Sequence, residues 1–300
     1  QRPGQQAELG HVADPAVLAD GDHPGSVGDA DVAAGRGIED AAAAEAAPAE
    51  QRLEIGAGAG RNTPRYKGYE RIVLLDYSRT QLQQAQECLG ERDRYIYVAA
   101  DAYKLPFVDG LFDGATMIRT LHHMKDAPAA LRQVRRVLQP AGTFILEYAN
   151  KLNLKAILRY FLRKQDWGCF TPEPVEFAAL NFDFHPKTVR QWLKEADFEL
   201  ERQLTVSHFR IGILKRIFPA SFLAWLDSFA QLTGDWWQLA PSVFTLNQAR
   251  GESVVAREGA FFQCPQCGTP LEDTPEVLTC STCGAKYAVQ NGIYDFRDPL

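Results

Sequence analysis

The chain has 300 residues, 46% of them hydrophobic and 11% aromatic, with a formal net charge of -6. That is room for one large α/β domain plus a small module, in the composition of an ordinary globular chain. No run of about 18 apolar residues occurs and no basic-then-apolar leader opens the sequence, so the expectation is a cytoplasmic protein without a membrane-spanning helix.

The acidity sits at one end. Residues 1–50 hold ten Asp/Glu against two Lys/Arg, which leaves 28 acids and 30 bases for residues 51–300. The same segment has fourteen Ala and seven Gly, lacks Phe, Trp and Tyr, and shows no sustained hydrophobic period. It is expected to be a low-complexity segment, either disordered or non-native, with loose helix around Ala41–Glu50. Composition changes abruptly at Arg52, and the helix expected ahead of a first strand is missing, as in a segment read from another frame. Comparing the three frames of the coding DNA tests that.

From Arg52 onward strands and helices alternate. "RLEIGAG", "ERIVLLDYS", "RYIYVAAD", "LFDGATMI" and "AGTFILEYA" read as five successive strands. Between them lie helical patterns, "RTQLQQAQECLG" ended by Gly90 and "APAALRQVRRVLQ" stopped by Pro140. Apolar strands alternating with helices predict a parallel sheet covered on both faces, with ligands at the carboxyl ends of the strands.

Chemistry-bearing residues fall at those ends in order. Gly56, Gly58 and Gly60 close strand 1, where the missing Cβ lets backbone approach a ligand. A GxGxxG fingerprint from Gly56 would need glycine at position 61, where Arg61 stands, so the pattern is E-x-G-x-G-x-G from Glu54. Asp76 ends strand 2, placed to accept both hydroxyls of a ribose, and Asp101-Ala102 ends strand 3, suited to the exocyclic amine of an adenine. Each alone reads as a turn, a helix cap or a loop acid. Their joint order points to a nucleoside-containing cofactor.

"LEIGAGAG", "VLLDYS", "AADAYKLPF", "LFDGATMIRTLHHMKD" and "LRQVRRVLQPAGTFILEYAN" resemble the successive motifs of class I S-adenosylmethionine-dependent methyltransferases of the quinone-biosynthesis type. The resemblance runs from Arg52 to Asn150. It implies an α/β fold with a seven-stranded Rossmann-like sheet, helices on both faces and an antiparallel last strand. It further implies that Glu54 and the loop of Gly56, Ala57, Gly58 and Gly60 face the methionine part of S-adenosyl-L-methionine, that Asp76 with Tyr77 holds the ribose, and that Asp101 and Ala102 hold the adenine. The short gap from Gly60 to Arg71, holding Pro64 and Gly68, departs from the pattern and leaves room only for a brief helix.

Methyl transfer from a sulfonium needs alignment and exclusion of water, and a base only where the acceptor must lose a proton early. His122 and His123, after strand 4, are base candidates that read equally as packing or capping residues. No [N/D]-PP-[Y/F] follows strand 4, so the signature of many nucleic-acid amine methyltransferases is absent. "PVEFAALNFDFHPKTVRQWLKEADF" is either scaffold or acceptor pocket, with a helix from Pro186 to Ala196 and His185 as a further base candidate.

"NKLNLKAILRYFLRK" spaces Lys151, Lys155, Arg159 and Arg163 by four, one positive stripe on a helix, with Leu154, Ile157, Leu158 and Phe161 on another face. The stripe is a solvated face or a contact to RNA phosphate or lipid headgroups. "FELERQLTVSHFR" and "PSVFTLNQA" read as strands 6 and 7. The aromatic insertion 211–240 between them, with Trp225, Trp236 and Trp237, predicts a helical hairpin on the core or on a second subunit, and makes it a candidate homodimer surface.

The last motif is the most specific. Cys264, Cys267, Cys280 and Cys283 form two CxxC knuckles separated by twelve residues, a spacing that predicts a structural zinc site with all four positions filled by thiolates. Gly268 and Gly284 follow each second cysteine, where backbone N–H groups turn toward sulfur. Cys88 and Cys169 have no partner motif and read as buried thiols. The organisation expected is a low-complexity segment at 1–50, a methyltransferase domain at 51–250, a polar linker at 251–260 that lets the next unit move, and a zinc ribbon at 261–300. Ribbons of this kind accompany some methyltransferases. Three functions compete: a methyltransferase for a small or lipophilic acceptor, an RNA methyltransferase docking through the ribbon, and a non-catalytic scaffold. The near-neutral charge of residues 51–300 weighs against RNA, and the complete set of acidic and glycine positions weighs against the scaffold.

Overall fold

The computed structural model describes residues 51–90, 93–209, 216–251 and 254–300. The segment 1–50, with the helix expected at Ala41–Glu50, lies outside them, as do residues 210–215 at the start of the aromatic insertion.

The five apolar runs form β1 (Gln51–Ile55), β2 (Arg71–Asp76), β3 (Tyr95–Ala99), β4 (Phe112–Met117) and β5 (Leu138–Ala149). In β2 the side chains of Val73 and Leu75 enter one core, and those of Ile72 and Leu74 enter another across the sheet. That period of two on a strand buried on both faces is why its sequence is continuously apolar.

Helix α1 (Arg79–Leu89) starts where the Ser78 side chain accepts the Gln81 N–H and stops at Gly90. It packs Leu82 and Ala85 on the Ile72 and Leu74 side. Helix α2 (Ala127–Val137) is capped by Asp126 and buries Ala127, Ala130, Leu131, Val134 and Val137, one helical face, against the opposite core. Helices therefore cover both faces. The second helix ends earlier than its pattern suggests, and Pro140 lies inside β5. Its missing N–H costs no ladder bond there, because the β4–β5 register is interrupted between Phe112 and Gly114 and resumes at Thr143.

The chain continues through α3 (Leu154–Phe161), a hairpin of β6 (Val175–Ala178) and β7 (Asn181–Asp183), α4 (Pro186–Glu195), β8 (Phe198–Val206), α5 (Ala220–Gln231) and β9 (Ser242–Ala249). Three short strands follow, β10 (Val277–Thr279), β11 (Lys286–Gln290) and β12 (Ile293–Asp295). Of the expected helical hairpin, the described residues show α5 and a 3-10 turn at Leu232–Asp235. Two further expectations are corrected. Asn153 caps α3, so Lys151 precedes the helix and is fully buried while Arg163, at φ 53, follows it; only Lys155 and Arg159 of the stripe lie on the helix. Cys88 is exposed, and Cys169 alone of that pair is buried.

The sheet has ten strands, not seven, in the order β10-β11-β12-β3-β2-β1-β4-β5-β9-β8. Seven of them, β3 through β8, form the expected arrangement, with β9 antiparallel to both neighbours. The other three belong to the cysteine module, which joins by laying β12 parallel to β3, from Ile293 opposite Tyr97 to Asp295 opposite Ala99. Pairing there satisfies the edge of β3 that would otherwise offer free backbone groups. An Asn291-Gly292 turn, both residues at positive φ, links β11 to β12. Ile293 is buried with Leu82 and Tyr97, and Phe262 inserts between Phe107 and Phe296, at ring distances of 5.9 and 5.1 Å. Burying one such ring stabilises by roughly 1.5–3 kcal/mol. The connecting segment is seated too, with the Ala256 N–H on the Gly110 carbonyl at 2.9 Å. The module is thus built into the sheet and does not swing on a loose linker.

Candidate functional site

The loop after β1 is held from both ends. Gly56 and Ala57 donate their N–H groups to the Leu75 carbonyl at 2.8 and 3.1 Å, tying the turn to β2. Gly56 adopts φ 70, and a Cβ there would stand 2.1 Å from the Thr120 hydroxyl, so no other residue fits. Gly58, at φ 54, has only the Gln81 side chain at 3.6 Å from such an atom, leaving an open backbone face. Gly60 lies against Leu89 and Ala85 of α1. The short gap to β2 holds only the 3-10 turn Thr63–Arg65, as expected. Glu54 is almost completely buried, and its carboxylate accepts the Thr63 hydroxyl at 2.7 Å and the Tyr66 hydroxyl at 3.2 Å. These bonds tie β1 to the turn that follows the glycine loop.

Asp76 faces that loop. One carboxylate oxygen accepts the Gly58 N–H at 2.9 Å and the other the Ser78 N–H at 2.8 Å. Burial raises its pKa above the usual carboxylate value while these backbone donors oppose the shift. Each oxygen keeps a lone pair, so the group can accept two more hydrogen bonds side by side. Tyr77, half-exposed, follows it. Asp101 accepts the Tyr103 N–H at 2.9 Å in the next loop, and Ala102 packs against the main core. The carboxyl ends of β1, β2 and β3 therefore offer, in sequence, open backbone, a paired acceptor and a second acid.

The ends of β4 and β5 carry the titratable groups. Burial, then His123 and Arg119, push the His122 imidazole down to about 3, so it is neutral near pH 7. His123 sets its Nδ1 3.1 Å from the Leu180 carbonyl. A carbonyl only accepts, so in the neutral ring the hydrogen sits on Nδ1 and the lone pair on Nε2. His185 does the reverse: its Nδ1 accepts the Lys187 N–H at 3.1 Å and caps α4, and burial holds its pKa low. Of the three histidines, His123 is the exposed one, and in that tautomer its Nε2 can accept a proton.

Two features of the site are not legible in the sequence. Lys151, at the end of β5, donates its ammonium to the Thr171 hydroxyl at 3.0 Å and the Glu173 carbonyl at 2.7 Å. Beside it, burial pushes the Asp183 carboxyl up to about 6 against the opposing pull of Lys151. The folded chain then holds that proton more tightly than the unfolded chain, so stability falls as pH rises from about 4 toward 6. Asp183→Asn is expected to gain on wild type in urea unfolding above about pH 7 relative to below about pH 4; an equal gap at both ends would show an ordinary carboxyl. The second feature is the C-terminal strand. Arg297, paired with Asp295 at 2.6 Å, reaches the Tyr77 carbonyl at 3.4 Å, and Arg79 stands 3.8 Å from Asp295. The last residues of the chain thus border the Asp76 loop.

In the cysteine module the four Sγ atoms lie within 4.8 Å of one another, with Cys264 3.6 Å from Cys283 and Cys267 3.4 Å from Cys280. The Gly268 and Gly284 N–H groups close each knuckle on the Cys264 and Cys280 carbonyls.

Comparison with known proteins fits this geometry. Residues 53–146 match the methyltransferase-domain family. An O-methyltransferase, cnsE, of Penicillium expansum is 33% identical over 105 residues, which cover 33% of this chain and 38% of the relative. The ubiquinone/menaquinone biosynthesis C-methyltransferase UbiE of Vibrio cholerae is 29% identical over 178 residues, 51% of this chain and 66% of the relative. The chain thus spans less than two thirds of either curated relative. Among solved structures, the 4+2 cyclase SpnF is 20% identical with a TM-score of 0.51, covering 78% of this chain and 86% of that one. The matched residues 53–146 include Glu54, the glycine loop, Asp76, Asp101 and the two adjacent histidines, and the fold is the Rossmann-like methyltransferase sheet. No described helix is long and apolar enough to cross a membrane.

Proposed function

We propose that the chain is an S-adenosylmethionine-dependent methyltransferase acting on a small or lipophilic acceptor. The observation that carries this reading is the bond from the Gly58 N–H to Asp76, which joins the open glycine loop to a carboxylate with two free acceptor positions. When bound, S-adenosylmethionine supplies an already activated sulfonium methyl. The Gly56–Gly60 loop would lie against its methionine part, Asp76 would take the ribose hydroxyls, and Asp101 with Ala102 the adenine. The chain's remaining task is to orient the acceptor and exclude water, which can supply roughly 7–11 kcal/mol of the barrier. Where the acceptor must lose a proton, His123 Nε2 can take it.

The relatives methylate oxygen and carbon by their names, and a cyclase shares the fold, so the acceptor atom follows from the side chains at the ends of β4 and β5 and not from the fold. The four cysteines fit structural zinc: a Zn–S bond of about 2.3 Å separates tetrahedral sulfurs by about 3.8 Å, near the spacing observed. With no open position, this zinc would stabilise the module. The ring-stacked, exposed Phe222, Trp225 and Phe229 of α5 are the part of the insertion 211–240 that a second subunit would cover. Burial of Lys151 shortens the basic stripe that, with the cysteine module, favoured RNA.

The test is calorimetric titration of S-adenosylmethionine and S-adenosylhomocysteine into purified, zinc-loaded protein. Saturable binding of both is expected. Absence of binding to well-folded protein would overturn the reading in favour of a scaffold.

A further inference from the structure

Helix α3 does not behave as a core helix. Six of its eight residues are apolar or aromatic (Leu154, Ala156, Ile157, Leu158, Tyr160 and Phe161), yet only Ala156 is buried. Phe161 is 70% exposed, and Leu162 just beyond the helix 63%. Leu154, Leu158, Phe161 and Leu162 follow the i, i+4, i+7, i+8 spacing of one face. Phe170, from the following loop, closes on Tyr160 and Phe161 with ring centroids 5.6 and 6.2 Å apart, so the aromatic surface is built and not a frayed end. The Leu154 N–H is bonded to the Leu239 carbonyl, which brings the segment holding Trp236, 80% exposed, to the start of the same helix. Contiguous apolar surface of this kind on a folded chain marks a contact site.

Charge identifies the occupant. Lys155 and Arg159 flank the apolar face, and Arg163 and Lys164 follow it, all exposed. No Asp or Glu occurs from position 151 to 165. A two-fold contact with a second copy would set Lys155, Arg159, Arg163 and Lys164 against their own copies, four basic side chains that outnumber the exposed Asp166 and Glu173 of the adjoining loop, a repulsive arrangement. A sheet of anionic headgroups over acyl chains meets both halves of the surface: aromatic and leucine side chains enter the boundary, and the long basic side chains reach the phosphates.

We propose that α3, with Phe170 and Trp236, is an interfacial element that seats the protein on an anionic lipid bilayer. Vesicle binding does not depend on the reaction at the methyl-transfer site, so the two readings fail separately. The position is informative all the same. The helix follows the carboxyl end of β5, the end of the sheet near which His123 and Asp183 stand, so a bilayer seated there borders the proposed acceptor side.

The experiment is co-sedimentation of the full chain with vesicles of equal parts phosphatidylglycerol and phosphatidylcholine, beside vesicles of phosphatidylcholine alone. Binding to the anionic vesicles that weakens with salt is expected, and little to the neutral ones. A Lys155→Gln/Arg159→Gln variant should bind roughly thirtyfold more weakly, from about fivefold per basic residue at a charged surface. A Leu158→Ser/Phe161→Ser variant should lose binding while keeping the wild-type melting temperature, since both side chains are exposed. Failure of wild type to bind anionic vesicles, or equal binding by both variants, would overturn the proposal. So would light scattering that shows a dimer dissociated by Leu158→Ser/Phe161→Ser, or binding of a structured RNA, with none to vesicles, that the charge variant abolishes.

Discussion

Removing the proposed zinc from Cys264, Cys267, Cys280 and Cys283 is expected to destabilise the sheet it joins and not the cysteine module alone. A free-standing ribbon on a linker would melt on its own and leave the methyltransferase domain untouched. Here β12 is the outer neighbour of β3, Ile293 packs with Leu82 under α1, and Phe262 shares a core with Phe107. Structural zinc contributes an apparent 10–16 kcal/mol or so in isolated finger peptides, comparable with the roughly 5–15 kcal/mol of a whole domain. If only about 3 kcal/mol of that reaches the shared sheet, the main transition falls by about 6–12 °C for a domain of this size. Scanning calorimetry with and without chelator measures it. One cooperative transition that moves down on chelation is the expected result; a main transition that stays put, with a small separate one vanishing, would show that the edge pairing carries no coupling. The same treatment should weaken S-adenosylhomocysteine binding, because Arg297 and Asp295 brace Tyr77 and Arg79 on either side of Ser78.

The strands and helices of the parallel sheet could be read from the sequence because their signals are local. A buried parallel strand is a continuous apolar run, and Gly56, Asp76 and Asp101 stand where such runs end. What escaped was decided by partners distant in sequence or by a single cap. Pairing of Asp295 with Ala99 joins residues nearly two hundred positions apart, and nothing in "GIYDFR" specifies which edge it takes. The four-residue spacing of Lys151, Lys155, Arg159 and Arg163 assumed one helix. Asn153 starts that helix two residues after Lys151, and Arg163 leaves it in the left-handed region, so the first lysine goes into the protein and becomes the neighbour of Asp183. His185 was ambiguous for a related reason: a histidine before Pro186 and Lys187 satisfies the rules for a cap as well as for a base, and only the Nδ1 contact to the Lys187 N–H separates them.

Asp76→Asn and Asp76→Ala divide the two roles of that carboxylate. In the proposed complex each oxygen accepts a ribose hydroxyl, and a hydrogen bond to a charged group is worth about 1.5–3 kcal/mol. Alanine removes both, and also releases the Gly58 and Ser78 N–H groups that aim the loop, so S-adenosylhomocysteine affinity should fall by about 3–6 kcal/mol, roughly a hundredfold or more. Asparagine keeps one acceptor and should fall between. The pH dependence supplies an independent reading. Burial raises the Asp76 pKa, so the ionised form is disfavoured in the folded chain, and that penalty is present above the folded pKa and relieved below the unfolded one. Wild type should therefore lose affinity as acid protonates the carboxyl and removes an acceptor, while gaining, not losing, stability from this group over the same range. Asparagine, which does not titrate, should show neither trend. Calorimetric titration of all three proteins across that range, with a melting curve at each pH, separates lost contacts from lost fold. Wild-type affinity in Asp76→Ala would remove Asp76 from the cofactor site, and with it the main support for methyl transfer by this chain.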